Sequence, residues 1–304
     1  MEQHGIRYER TKVHWTEALP IGNGTFGVMA YLERQHLCLA MNHYDVYYSG
    51  HPEYSRTAQR QTAHFHAPGG STKQEYVQRA EKALQKESVL EAYQKVLYPP
   101  KEGQRVHVAQ GTALPAVGNL QIRFAPQTQE WEPEMQLSVE QAEVSYRLGH
   151  GTQAVSAVVK ILQGTDTLLC QVEQTQKGLA QQIVLEVPQG RQMRDMHPKL
   201  LQQEGSEFSV SQSFGWEEAP EDEPFRFCAS VHLLHAVGKA EQQDRRIVIN
   251  LEQAEEKFAV LVSVATELES AACETCAEEK GRRDAQQLQA LLEGEHDMIA
   301  NMAN

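Results

Sequence analysis

The sequence predicts a mainly β protein, a large antiparallel β-sandwich with a helical segment inserted early and a helix at its C-terminal end. Three observations carry this. Apolar residues alternate with period two along most of the chain from Leu120 to about residue 266, the repeat of half-buried strands. Gly, Pro, Asn and Asp recur at short intervals between those runs, as turns between antiparallel neighbours require. Helical spacing appears in only two stretches, residues 73–97 and the region from Arg282 onward.

The first element is Trp15 to Met29, Trp-Thr-Glu-Ala-Leu-Pro-Ile-Gly-Asn-Gly-Thr-Phe-Gly-Val-Met. Gly22, Gly24 and Gly27 fit G-x-G-x-x-G, and Asp45 lies where a dinucleotide fold places its ribose-binding acid. That fingerprint needs a buried strand before the first glycine and a helix after the last. Glu17 and Pro20 spoil the strand. Downstream, Phe26, Val28, Ala30 and Leu32 alternate, Glu33-Arg34-Gln35 breaks, and Leu37, Leu39 and Met41 alternate again. The pattern is a hairpin, entered by a Gly22-Asn23-Gly24 turn whose glycines supply positive φ. Trp15 is expected to pack beneath it. No cofactor is expected.

A loop rich in His, Pro and Gly follows Gly50. His64 and His66 would face one side of an extended segment, but no third ligand stands at a persuasive spacing and no metal is expected. Tyr76, Ala80, Ala83 and Leu84, then Val89, Tyr93, Val96 and Leu97, recur at helical spacing until Pro99-Pro100 stops the run. Leu120, Ile122 and Phe124 resume the β pattern. Val144–Leu148 and Val155–Ile161 flank Gly149-His150-Gly151-Thr152, a hairpin turn. Further strands are expected at 168–172, 183–187, 208–210, 225–233, 247–251 and 258–264. After Arg282-Arg283-Asp284-Ala285, a stripe of Leu288, Leu291, Leu292, Met298, Ile299 and Met302 shares one helical face.

Forty-one acids against 28 bases give a formal charge of −13 over 304 residues, which argues against nucleic acid and anionic membrane as partners. No run approaches the length of a membrane-spanning helix and the N-terminus lacks a signal-peptide core, so a cytoplasmic protein is expected. The five cysteines sit mostly inside apolar patterns and read as reduced thiols. Cys273-x-x-Cys276 lacks the second pair of a zinc site.

Trp15 to Gly24, followed by Gly27 and Met29, resembles the opening motif of glycoside hydrolase family 95, the α-L-fucosidase-like enzymes. Asn42 through Tyr48-Ser49-Gly50 resembles that family's next motif, and Pro115-Ala116-Val117-Gly118-Asn119-Leu120 a third. Thr25 stands where a basic residue is usual, and His43-Tyr44-Asp45-Val46-Tyr47-Tyr48 replaces an acidic pair and a tryptophan. The resemblance implies a mutarotase-like supersandwich over residues 1–270. Residues 271–304 would be a helical linker toward an (α/α) barrel that carries the catalytic acid and base beyond Asn304. On that reading the chain is a non-catalytic module shaping the substrate cleft of a fucosidase or related glycosidase, with a carbohydrate and the barrel as partners.

Two alternatives stand beside it. A free-standing mutarotase-like enzyme would draw its acid from His64, His66 or His107. A carbohydrate-binding module would stack a sugar on Trp15, Tyr47, Tyr48 or Trp216. If any residues touch substrate, they are Asn42, His43, Asp45 and Tyr48, at the end of the Leu37–Met41 strand, although Asn42 and Asp45 could equally fold the turn. Trp15, Pro20, Gly22, Asn23, Gly24 and Gly27 form the structural motif. The helical stripe, through Leu288, Leu291, Leu292 and Ile299, is expected to fold back on the sandwich or to pair with a second copy.

Overall fold

The structure, a computed structural model, describes residues 5–10, 12–34, 36–46, 117–128, 130–187, 193–194, 198–201, 204–216 and 225–302, with backbone alone for 193–194, 204, 214–216 and 291–302. Contacts divide the chain into Tyr47–Ala113 and the remainder. The first of these units holds the helical segment expected at 73–97, together with Tyr47, Tyr48, His64, His66 and His107, and lies outside the described residues.

The remainder is β-rich, as the alternation predicts. In chain order its strands are β1 (Gly5–Tyr8), β2 (Leu19–Gly22), β3 (Phe26–Glu33), β4 (His36–His43), β5 (Gly118–Phe124), β6 (Pro133–Ser138), β7 (Glu143–His150) and β8 (Gln153–Ile161). There follow β9 (Thr167–Gln174), β10 (Ala180–Glu186), β11 (Met193–Arg194), β12 (Lys199–Leu200), β13 (Glu204–Gly205), β14 (Glu207–Trp216), β15 (Phe225–Gln243) and β16 (Arg246–Thr266), then the helix α1 (Cys273–Met302). One layer runs β2-β3-β4-β5-β10 and the other β1-β6-β7-β8-β9, and both end on β16.

All these pairings are antiparallel, and β16 belongs to both layers: Arg246–Asn250 pairs with β10, and Lys257–Ser263 with β9. Two strands expected at 247–251 and 258–264 are therefore one bent strand. The polar residues between them, Glu252 to Lys257, form an exposed corner, which alternation alone cannot distinguish from a turn. At that corner Leu234 of β15 pairs with Ala259 and Ala236 with Ala254. Glu255 to Phe258 thus lie opposite His235 alone, a bulge that turns the hairpin from one layer to the other. His235 takes φ +57° there. Between the layers Phe124 of β5 stacks on Tyr146 of β7, ring centroids 5.6 Å apart. Leu19, Phe26, Leu37, Leu39, Met41, Leu120 and Ile122 are fully buried beside them; each such side chain contributes roughly 1.5–3 kcal/mol.

The first hairpin forms as read, with Gly22 opposite Gly27. Only Gly24 takes positive φ, +97°. Gly22 ends β2, where an added Cβ would come within 3.2 Å of the Phe26 carbonyl oxygen. A strand, β3, stands where a phosphate cradle would need a helix. Trp15 corrects the expectation: it is 60% exposed, on a short 3-10 turn, Trp15–Glu17, with its ring beside His14. Val13 takes the covering position instead. It is fully buried and its backbone exchanges two hydrogen bonds with Leu32.

The helix opens at Cys273, nine residues before the run marked by large apolar side chains from Arg282 and two after the start of the helical linker that the resemblance implies. Its buried face is built from small residues four apart, Cys273, Ala277, Gly281 and Ala285, a signal that a search for large apolar side chains misses. Cys273 and Ala277 pack against Cys228 and Ala265. Ala285 packs on Leu169, Ala259 and Leu261, and Leu288 closes the edge of that cluster. Gly281 is the closest approach: a Cβ there would lie 2.3 Å from His232 Nε2. The helix thus folds back on the sandwich through Leu288, while the side chains of Leu291, Leu292 and Ile299 lie outside the described residues. Cys273 and Cys276 are both free thiols on the helix.

Candidate functional site

The Gly22–Gly27 turn fastens one layer to the other. Asn23 Oδ1 accepts from the backbone N–H groups of Thr25 (3.1 Å) and Phe26 (2.9 Å), which holds the turn. Its Nδ2 donates to the carbonyl of Thr165, 2.6 Å away in the β8–β9 turn of the opposite layer. Thr25 Oγ1 lies 2.7 Å from Asp166 Oδ1 and 3.0 Å from Asn23 Oδ1. Its single proton serves the nearer, charged acceptor.

Lys280, from α1, completes the link. Its Nζ donates to Asp166 Oδ2 (3.0 Å), to the Val264 carbonyl (3.1 Å) and to both oxygens of Glu269 (2.8 and 3.1 Å). The side chains of Lys280, Asp166 and Glu269 are 19%, 17% and 28% exposed, so this cluster is largely screened from water. Burial works against the charge on Asp166, but the Thr25 hydroxyl and the Lys280 ammonium outweigh it and hold its pKa below the usual carboxylate range. Burial likewise opposes the charge on Lys280, and its contacts with Glu269 and Asp166 hold its pKa above the usual lysine value.

Of the expected substrate residues, two enter this cluster. His43 ends β4 and is 2% exposed; Asp45, in the following turn, is 8% exposed. The Asp45 backbone N–H donates to His43 Nδ1 at 3.3 Å, and Asp45 Oδ2 accepts from Thr266 Oγ1 at 3.2 Å. His43 Nε2 has no hydrogen-bond partner among the described residues, with Asp166 Oδ2 at 3.7 Å. Asn42 is half-buried in β4 opposite Gly27. Tyr48 lies outside the described residues.

Ligand atoms of His43, Asp45 and Glu269 come within 4.8 Å of one another, so a metal has to be considered. The set fits one poorly. A neutral imidazole whose Nδ1 accepts from Asp45 carries its proton on Nε2, the nitrogen a metal would need. Both Glu269 oxygens already serve Lys280, whose ammonium supplies the positive charge.

A second arrangement sits under α1. Ser230 Oγ lies 2.9 Å from His232 Nε2, and His232 Nδ1 lies 3.9 Å from Glu207 Oε1. The order serine, histidine, acid is that of a nucleophilic triad. Ser230 is fully buried, however, and Gly281 seals Nε2 from above; no substrate carbonyl could reach the hydroxyl. Burial lowers the pKa of His232, which keeps it neutral. The group belongs to the helix seat, beside Thr167, which donates to the buried Asp284 at 2.6 Å, and Ser211, which donates to Glu274 at 2.9 Å.

The sequence matches the family described as "Glycosyl hydrolase family 65, N-terminal domain" over residues 6–271. The chain belongs to that family. As an N-terminal domain of family 65 it keeps the broader reading, the front module of a glycoside hydrolase family protein. The family number differs from the 95 that the motifs suggested. Within the Trp15 to Gly27 motif, Asn23 and Thr25 pin the hairpin turn to the opposite layer. No curated protein matches. Among solved structures, "Putative kojibiose phosphorylase from human microbiome" aligns with a TM-score of 0.36 and 7% identity, over 93% of this chain. The chain spans 35% of that protein's length.

Asp166 escaped sequence reasoning because it lies 114 positions from Lys280, and Glu269 and Lys280 because they straddle the start of α1 without any apolar pattern to mark them. Asp166 had the best available signal. It follows Gly164, at φ +73°, in a polar turn between two strong strands. Among the described residues no helix is long and apolar enough to cross a membrane.

Proposed function

We propose that this domain is the non-catalytic β-module of a glycoside-processing enzyme, and that it packs on and shapes the substrate cleft of a catalytic helical barrel carried elsewhere. The observation that supports this is the state of the carboxylates gathered at the motif. Asp166 is held by Thr25 and Lys280, Glu269 by Lys280, and Asp45 by Thr266. Glycoside cleavage needs two carboxyl groups flanking an open cleft, one of them kept protonated. The pKa of Asp166 is pushed the other way, toward permanent ionisation.

The finer reading, α-L-fucosides as the substrate class, rests on the resemblance of Trp15–Gly24 and Asn42–Gly50 to the fucosidase-like motifs. The purified chain, incubated with an aryl α-L-fucoside and an aryl α-glucoside, is expected to release aglycone no faster than buffer. Turnover abolished by replacing one carboxylate of this chain would overturn the module reading. In an enzyme carrying module and barrel together, the fucoside is expected to have the higher kcat/KM, and the reverse order would discard fucose.

A further inference from the structure

A cleft of about 550 Å³ opens between α1 and the corner where β15 and β16 change layers, on different residues from the Lys280 cluster. Its size is within the roughly 300–1,000 Å³ of small-molecule sites. Leu234 and Ala285 contribute an apolar floor, and Gln253, Gln286 and His235 stand around it. The bulge that leaves His235 alone opposite Glu255 to Phe258, at positive φ, places that residue on the cleft wall.

The charged groups of the cleft are already matched. Arg282 Nη2 donates to Glu207 Oε2 at 3.0 Å, and Glu255 is paired with Lys177. What remains open is the amide chemistry of Gln253 and Gln286, exposed side chains with no hydrogen-bond partner among the described residues. Each amide offers two N–H donors and a carbonyl acceptor, which complement sugar hydroxyls that each accept and donate, and the apolar floor suits the C–H face of a pyranose ring. A phosphorylated or acidic ligand would find no uncompensated cation, and a basic peptide no free carboxylate.

From this we infer that the α1–β15–β16 cleft binds a neutral oligosaccharide through Gln253 and Gln286. Binding here is independent of the module reading: failure of this site would leave the chain's inactivity unaffected, and activity in the chain would not abolish the site. The test is saturation-transfer NMR and calorimetry on the chain at millimolar maltotriose, cellotriose and 2′-fucosyllactose, with a neutral tripeptide as control. At least one trisaccharide is expected to bind one-to-one. In Gln253→Ala/Gln286→Ala its affinity should fall by about tenfold or more, the loss of two ordinary hydrogen bonds. Circular dichroism of the double variant should match wild type, because both side chains are exposed. No binding by any of the three sugars, equal binding by the double variant, or equal binding of the tripeptide would each overturn the inference.

Discussion

Gly281→Ala destabilises the domain, although alanine is the better helix former. In an exposed helix the exchange would gain about 1 kcal/mol. Here the new Cβ would fall 2.3 Å from His232 Nε2 and 2.4 Å from Cδ2, and that ring is buried and tied to Ser230. Overpacking of this kind costs about 1–3 kcal/mol, and displacing the ring leaves the Ser230 hydroxyl buried without its partner, roughly 1–3 kcal/mol more. The clash wins, with a net loss of about 1–3 kcal/mol once the helix gain and partial relaxation are subtracted. Denaturant unfolding measures it. In a His232→Ala background the main obstacle is gone, leaving a tight 3.2 Å approach to Ser263 Oγ, and the same substitution should cost much less than in the native chain. A stabilising Gly281→Ala in the otherwise native chain would mean that α1 is not seated as described.

Lys280→Met should cost about 2–3 kcal/mol, less than the roughly 3–5 of a fully buried pair because Glu269 keeps some contact with water. Its methylenes are replaced, so the loss comes from Asp166 and Glu269 left facing each other without the ammonium. Asp166→Asn should therefore be much less harmful in the Lys280→Met background than alone, a coupling that a double-mutant cycle reads directly. The pH dependence provides a second readout. The folded pKa of Asp166 lies below its ordinary value of 3.8. Its stabilisation is thus present above that value and lost as pH falls through the folded pKa. Without Lys280 the carboxylate loses its chief charge partner, and this acid-side loss should flatten. Purely additive variants and an unchanged acid limb would together remove Lys280 from the account.

How much of this was legible in the sequence depends on how local each interaction is. The β2–β3–β4 hairpins were, because Phe26 to Leu32 and Leu37 to Met41 write their buried faces with period two. The Gly149–Thr152 turn was too, its glycines at φ +81° and +62°. The role of Asn23 was only half visible: a turn was expected, but its bond to Thr165 crosses 142 positions. Trp15 was misplaced because a large aromatic beside a hairpin reads as core, and nothing local shows that Val13 has taken the space. Apolar spacing alone does not reveal the start of α1, because its inward face is Cys, Ala, Gly and Ala, residues whose value is closeness and whose hydrophobic signal is weak. His43 and Asp45 stand out by their place at the end of the Leu37–Met41 strand, but the groups around them, Asp166, Glu269 and Lys280, converge only in three dimensions. Without those partners, His43 reads as a loop ligand and Asp45 as either a loop ligand or a turn-folding side chain, and the burial of both is invisible.

The Lys280 cluster and the Gly281 seat should lock α1, the Asn23 turn and the β8–β9 turn into one cooperative unit. Native-state amide hydrogen exchange tests it most directly. Helix amides from Ala277 to Leu288 should open only with β9 and β16, at the same free energy, and that shared value should drop in Lys280→Met. Helix amides exchanging through a separate opening several kcal/mol cheaper than the strands, with no response to Lys280→Met, would contradict the account.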